Sequence, residues 1–489
     1  MLFNSHIFML LFLPLLLAGW YFLNWKKKFQ LAQGYLIGMS LWFYAYANLQ
    51  YLWLLLFSCL IGWLLSCLPE KIFSEKGKKV LTGVGCVFHL GLLGYFKYSN
   101  FFLENLNTVF HTDFPMLQIL LPVGISFYTF QQLAYLIDRC RGDAPRDSFF
   151  DYLTFMVYFP QLLQGPILLR SEFMGQLKEP ERRRFHAGRF SEGIQFFVFG
   201  LAKKVLLADT LAKAVNYGYS NVSMLDSISA LLLAAGYLTE LYFDFSGYCD
   251  MAVGLGKMIG LEVAENFDAP FHSASVKEFW RRWHMTLGRF FTRYVYIPLG
   301  GNRKGKMRTL CNVMIVMLLS GLWHGAAWTF VLWGFLHGVG MIWDNLEHPH
   351  LPKKWMRQAA TFAYVCMTFV FFRAESIAQG IDVLKSIVSL KWNGFVFQMA
   401  SALDLTEFYM ITKALSMKLP GLLSWFWLGI FVVLIAICFR VLSGKKVSGV
   451  VALQKQKGYG RLYPVLLAVL FTWSMISMTG VSEYLYFSF

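Results

Sequence analysis

Charge is scarce in this chain, and acid is scarcest of all. Of 489 residues, 15% are Asp, Glu, Lys or Arg, with 28 acids against 44 bases. Soluble domains carry about a quarter charged residues, so the composition excludes a water-soluble enzyme or a string of such domains. Cysteine is also sparse. The eight cysteines are scattered, most of them in apolar runs, with no C-x-x-C pair and no His/Cys spacing suited to zinc. They read as small buried hydrophobes, and the expectation for metal is none. No nucleic-acid motif accompanies the net charge of +16. In a membrane protein such an excess reflects Lys and Arg on cytoplasmic loops, so nucleic acid is not expected as a partner. No removable leader is expected either, and the first span is expected to be retained. The first apolar segment, Ile7 to Leu23, lacks a basic start and a small-residue cleavage site, and it runs into Lys26, Lys27 and Lys28. No internal repeat of the kind found in secondary transporters is visible.

What is abundant is apolar. Hydrophobic residues make up 57% of the chain and aromatic residues 18%. That composition and length predict an all-α polytopic membrane protein with many spans of about 20 residues. Spans are expected near 7–23, 31–48, 51–68, 80–96 and 116–136, with basic clusters after the first, third and fifth. The apolar stretch from Tyr152 to Leu169 breaks the alternation. It carries Pro160 and Gly165-Pro166 and has basic residues on both flanks. Such flanks predict a re-entrant element, because broken backbone is tolerated at membrane depth only under cover of protein or a water-filled cavity. Further spans are expected near 190–207, 226–243, 309–328, 330–345, 358–373, 421–441 and 462–480, with both termini outside.

One polar residue stands out in the run Leu318 to His337: His324, in the context Leu-Trp-His-Gly. An ionisable side chain at membrane depth is costly and marks a site by default. Three roles fit a buried histidine. It could be a metal ligand, although two histidines without a carboxylate make a poor site. It could belong to a proton path, with Asp244 and Asp250 as acidic partners. Or it could be a general base acting on a hydroxyl that attacks a thioester. His337, thirteen positions on, faces elsewhere on a helix and reads as structural.

The segment from Lys277 to Arg303 is both basic and aromatic. On one helix, Arg282, Arg289 and Arg293 would share a face, and Trp283 and its aromatic neighbours the other. This pattern suits an interfacial helix resting on anionic lipid, or guanidiniums that hold donor phosphates. His284 lies at its apolar edge.

These segments together resemble the membrane-bound O-acyltransferase (MBOAT) family, in particular its alginate O-acetyltransferase-like bacterial branch. The matching runs are Pro122–Phe130, Tyr158–Pro166, Phe243–Tyr248, Phe279–His284, Tyr296–Arg303, Ser320–Trp328 and Phe371–Ala374, with Met1–Ser5 and Tyr484–Phe489 at the ends. The resemblance implies a single integral-membrane acyltransferase domain over 1–489, with core motifs in 120–345 and additional helices in 358–489. It implies a ring of about 11–12 transmembrane helices with re-entrant elements around a central funnel. His324 takes the family's catalytic position and His284 that of its second signature histidine. Trp323, Trp283, Arg282, Arg289 and Arg293 are expected to contact the donor or substrate. The implied reaction passes an acetyl group from a cytoplasmic thioester toward an extracellular polysaccharide. Acetyl-CoA is the expected donor, and no bound cofactor is expected. An extracytoplasmic SGNH-hydrolase-like partner would complete the transfer, and the bacterial cytoplasmic membrane is the implied location. The alternatives are D-alanyl or other acyl transfer from a carrier protein to a cell-wall polymer, or a polysaccharide or lipid transporter.

Overall fold

The computed structural model describes residues 1–47, 49–67, 75–346, 351–438, 446–458, 460, 462–478 and 484–485. The last four residues of the closing motif, and the loop bases Lys71, Lys445 and Arg461, lie outside this set. Helices account for all the regular structure among the described residues. Six helical stretches there are long and apolar enough to cross a membrane: Phe8–Trp25, Leu49–Cys67, Lys76–Phe110, Ser227–Ile259, Lys306–His324 and Pro420–Ile437. Trp328–Trp343 and Leu462–Ser477 are shorter apolar helices. The chain is a polytopic, all-helical membrane protein.

Several boundaries depart from the sequence expectation. The span placed at 116–136 starts later, as the helix Ile125–Arg141. Pro115 and Pro122 cannot donate to a helical ladder, and Gly124 adopts φ 78° immediately before the first turn. A side chain at Gly124 would also strike the Leu162 carbonyl, 2.5 Å from an ideal Cβ. The span placed at 226–243 continues as one helix, Ser227–Ile259, through Asp244. A carboxylate normally ends an apolar run, but Asp244 meets the Lys204 ammonium at 2.6 Å, and both side chains are buried. Lys204 also reaches Asp209 at 2.8 Å, and the Leu485 N–H donates to Asp244. Asp244 is thus part of an ion-paired knot.

The chain forms two compact units. The first comprises residues 1–198, 248–265 and 289–295. Its core is aromatic: Phe3, Phe8, Phe12, Phe43 and Phe159 pack around one another, and Phe3 stacks on Tyr248 at 4.7 Å. The stretch Tyr152 to Leu169 is indeed broken. The helix Phe149–Val157 stops at Tyr158, a four-residue helix Phe159–Leu162 follows, and residues 165–168 are non-helical but buried. Neither helix is long enough to cross a bilayer, since a span needs about 20 residues. Arg170, directly after this stretch, forms a two-pronged pair with Asp147.

The second unit comprises residues 199–247, 266–288 and 296–489. Its centre is a helical hairpin, Lys306–His324 and Trp328–Trp343, on which Lys354–Arg373 packs. The hairpin is closed by glycine. An ideal Cβ on Gly321 would lie 2.3 Å from the Phe330 carbonyl, and one on Gly334 2.5 Å from that of Met317. The two backbones therefore touch, as small residues allow between membrane helices.

Candidate active site

The hairpin decides where His324 lies. It is the last residue of its helix, because Gly325 turns to extended backbone (φ −157°, ψ 150°) and Ala327 does the same before the next helix begins. The side chain is 4% exposed. Its walls are aromatic: Trp323 at 4.9 Å, Trp333 at 5.2 Å and Phe372 at 5.2 Å between ring centroids. Trp333 meets it edge-on, at 87°.

His284 approaches the same place from another part of the chain. Its ring centroid is 6.3 Å from that of His324 and 6.1 Å from that of Trp323. The local backbone is unusual. The helix Val276–Arg282 ends, a second helix begins at Met285, and His284 between them takes φ 44°. A non-glycine residue in the left-handed region costs free energy and persists only where its surroundings hold it. Here the holder is Asn266. Its backbone carbonyl accepts from Met285 N–H at 2.9 Å, and its side-chain Oδ1 accepts from the N–H and hydroxyl of Thr286, each at 3.0 Å.

The same Oδ1 lies 3.2 Å from His284 Nδ1. An amide oxygen only accepts, so Nδ1 carries the proton and Nε2 keeps the lone pair. Burial pushes the His284 imidazole down to about 3, so the ring is neutral at any working pH.

The single basic helix expected across Lys277–Arg303 does not form. It is broken at Trp283–His284, and Arg282, Arg289 and Arg293 do not share one helical face. Arg282, in the second unit, pairs with Glu278 at 2.7 Å. Arg289 and Arg293 belong to the first unit. There Arg289 makes a two-pronged pair with Glu172 and also donates to the Ile167 carbonyl at 3.0 Å. Arg293 meets Asp138 and Asp143, each at 3.0 Å. The charge stripe is thus a set of ion pairs: that of Arg282 lies within one helix, whereas those of Arg289 and Arg293 join separate segments. Trp283 lies in a buried aromatic cluster with Phe267, Phe279 and Phe369, whereas Trp323 borders both histidines.

His337 is fully buried among aromatics and hydrogen-bonded through both nitrogens, to Trp280 Nε1 at 3.2 Å and Thr368 Oγ1 at 3.0 Å. This agrees with its structural reading. Asn266, Phe245 and Trp333 were not singled out from the sequence as site residues. Asn266 lies 18 positions from His284 and belongs to no periodic pattern. The only hint of Phe245, whose ring is 4.8 Å from that of His284, was its place in the run Phe243–Tyr248.

A buried histidine pair in an aromatic, water-poor setting, with no group of three metal-ligating side chains among the described residues, suits proton transfer to and from a hydroxyl. Comparison with known proteins gives the same direction. The membrane-bound O-acyltransferase family model matches residues 145–379. A peptidoglycan O-acetyltransferase of Helicobacter pylori is 35% identical over 423 residues, covering 80% of each chain. A protein of Azotobacter vinelandii named probable alginate O-acetylase AlgI is 39% identical over 389 residues, covering 77% of this chain and 76% of its own. A teichoic acid D-alanyltransferase of Bacillus subtilis is 28% identical over 271 residues, 52% of this chain. The chain belongs to the membrane-bound O-acyltransferase family. It is an integral-membrane acyltransferase.

Proposed function

We propose that this enzyme acetylates an extracellular polysaccharide, using acetyl-CoA from the cytoplasm as donor and His324 as general base. The observation that carries the reading is the burial of His324 at a helix end within ring contact of His284. Two imidazoles on separate chain segments converge where apolar packing alone would place neither. His324 takes the proton of the attacking hydroxyl as its oxygen closes on the thioester carbonyl, and returns it to the departing thiolate. His284, presenting Nε2 with Nδ1 tied to Asn266, orients the incoming group beside it. The relatives named for alginate and peptidoglycan O-acetylation support an acetyl group and a glycan acceptor. Passage of the group across the bacterial cytoplasmic membrane to an SGNH-hydrolase-like partner outside completes the proposal. Arg282, with its side chain one-third exposed, is the basic residue we assign to the donor's phosphates from within the unit that holds both histidines.

The test is transfer of labelled acetyl from acetyl-CoA by membranes containing wild type or His324→Ala at matched levels, with the extracytoplasmic partner supplied. Label should reach glycan or partner with wild type only. Equal labelling by both proteins removes His324 as the base. Labelling by wild type only when a D-alanyl carrier protein replaces acetyl-CoA would move the enzyme to the other acyl class. Glycan movement without any label would favour a transporter.

A further inference from the structure

Beside His324 stands the indole of Trp333. Trp333 is 1% exposed, and its indole Nε1 has no hydrogen-bond acceptor among the described residues. An indole N–H can only donate, and leaving a buried donor unmet costs about 1–3 kcal/mol. The neighbouring tryptophan shows the contrast: Trp280 Nε1 donates to His337 Nδ1 at 3.2 Å.

The rings around Trp333 hold it still. His337 lies at 4.8 Å, Phe372 at 5.0 Å, Phe369 at 5.4 Å and Trp280 at 5.6 Å between centroids. His337 is itself locked. The Thr368 hydroxyl donates to the Val365 carbonyl at 2.8 Å and so accepts from His337 Nε2–H, while Nδ1 accepts from Trp280. One tautomer and one ring orientation satisfy both bonds. A fixed, unmet donor in a low-dielectric site is what stabilises charge developing on a carbonyl oxygen, because no reorganisation is needed during reaction.

Resting on the acyl-transfer reading of His324, we propose that Trp333 is a further catalytic residue whose indole N–H binds the thioester carbonyl oxygen as it becomes an oxyanion, with His337 as the positioning residue that fixes the indole. The hydroxyl oxygen bonds to the carbonyl carbon, its proton goes to His324, and the carbonyl π electrons move onto oxygen, where the Trp333 N–H meets them. On collapse the C–S bond breaks and the His324 proton passes to the leaving sulfur. The products are an ester and a thiol.

The test replaces one atom. Benzothienylalanine incorporated at position 333 keeps the bicyclic shape and substitutes sulfur for N–H; Trp333→Phe is the companion variant. With acetyl-CoA as donor and full-length protein in membranes, kcat should fall about 10²-fold for both, with KM unchanged, the usual loss on removing one oxyanion donor. A benzothienylalanine enzyme within about threefold of wild type, while His324→Ala is inactive, would assign Trp333 to packing alone and overturn the proposal. Equal activity of wild type and His324→Ala would instead overturn the acyl-transfer reading, and this proposal with it.

Discussion

His284 concentrates the residue-scale physics of this site. Its left-handed backbone would suit glycine, yet an imidazole stands there, so the strain is maintained for the side chain. His284→Gly should therefore retain or raise the thermal midpoint relative to His284→Ala, by about 1 kcal/mol of conformational relief, while both lose transfer activity. Melting of detergent-solubilised protein, followed in parallel with labelled acetyl transfer, checks this. The pH dependence has a definite sign. The ring is depressed to about 3 in the folded chain. As pH falls below about 6.5 the unfolded chain binds a proton that the folded chain does not, so stability drops by up to about 1.4 kcal/mol per pH unit until the folded value is reached. His284→Asn should flatten the melting profile between pH 6 and 4; an unchanged slope would contradict the burial argument. Asn266→Ala removes the acceptor shared by His284 and Thr286, and should cut kcat more than it raises KM.

At the scale of elements, the glycine-closed hairpin carries the site. Gly334→Val would press a branched side chain against the Met317 carbonyl. It should cost about 1–3 kcal/mol from overpacking and shift His324 with it, read as a lower melting temperature and loss of transfer in the surviving folded fraction. The long helix Ser227–Ile259 depends on a different device. Lys204→Met would leave Asp244 buried without its ammonium, a loss of about 3–5 kcal/mol that should abolish accumulation of folded protein. Lys204→Met combined with Asp244→Asn should recover part of it, and a double variant no better than the single one would argue against the pairing. The arginines expected to share one helical face illustrate a sequence pattern that was real but misassigned. Their seven- and four-residue spacing is helical, but the backbone breaks at His284, and the carboxylates of Glu278, Glu172, Asp138 and Asp143 take up their charge.

For the whole molecule, the membrane class follows from bulk composition and needs no tertiary detail. With 15% charged residues there is too little polar side chain to clothe a soluble surface of this size. Exposed leucine, tryptophan and phenylalanine along Phe8–Trp25, Leu49–Cys67 and Pro420–Ile437 fit contact with lipid rather than water. Full-length protein should consequently require detergent or lipid nanodiscs for a monodisperse profile. Recovery of folded enzyme in plain buffer would contradict the assignment.

Hydropathy, basic clusters and one misplaced polar group are local properties, and they were legible without a structure. They determined the helical membrane class, most of the apolar helices, and His324 as the residue to watch, because the cost of burying an imidazole is written in its immediate neighbours. The tertiary structure decided the rest. It brought His284 to His324 across 40 positions, chose a left-handed backbone at a residue that gives no such signal, and recruited Asn266 and Trp333. It also carried a helix through Asp244 by supplying Lys204 from a distant segment. These are long-range closures. Their free energy lies in pairs of residues far apart in the chain, and no window of sequence contains both members.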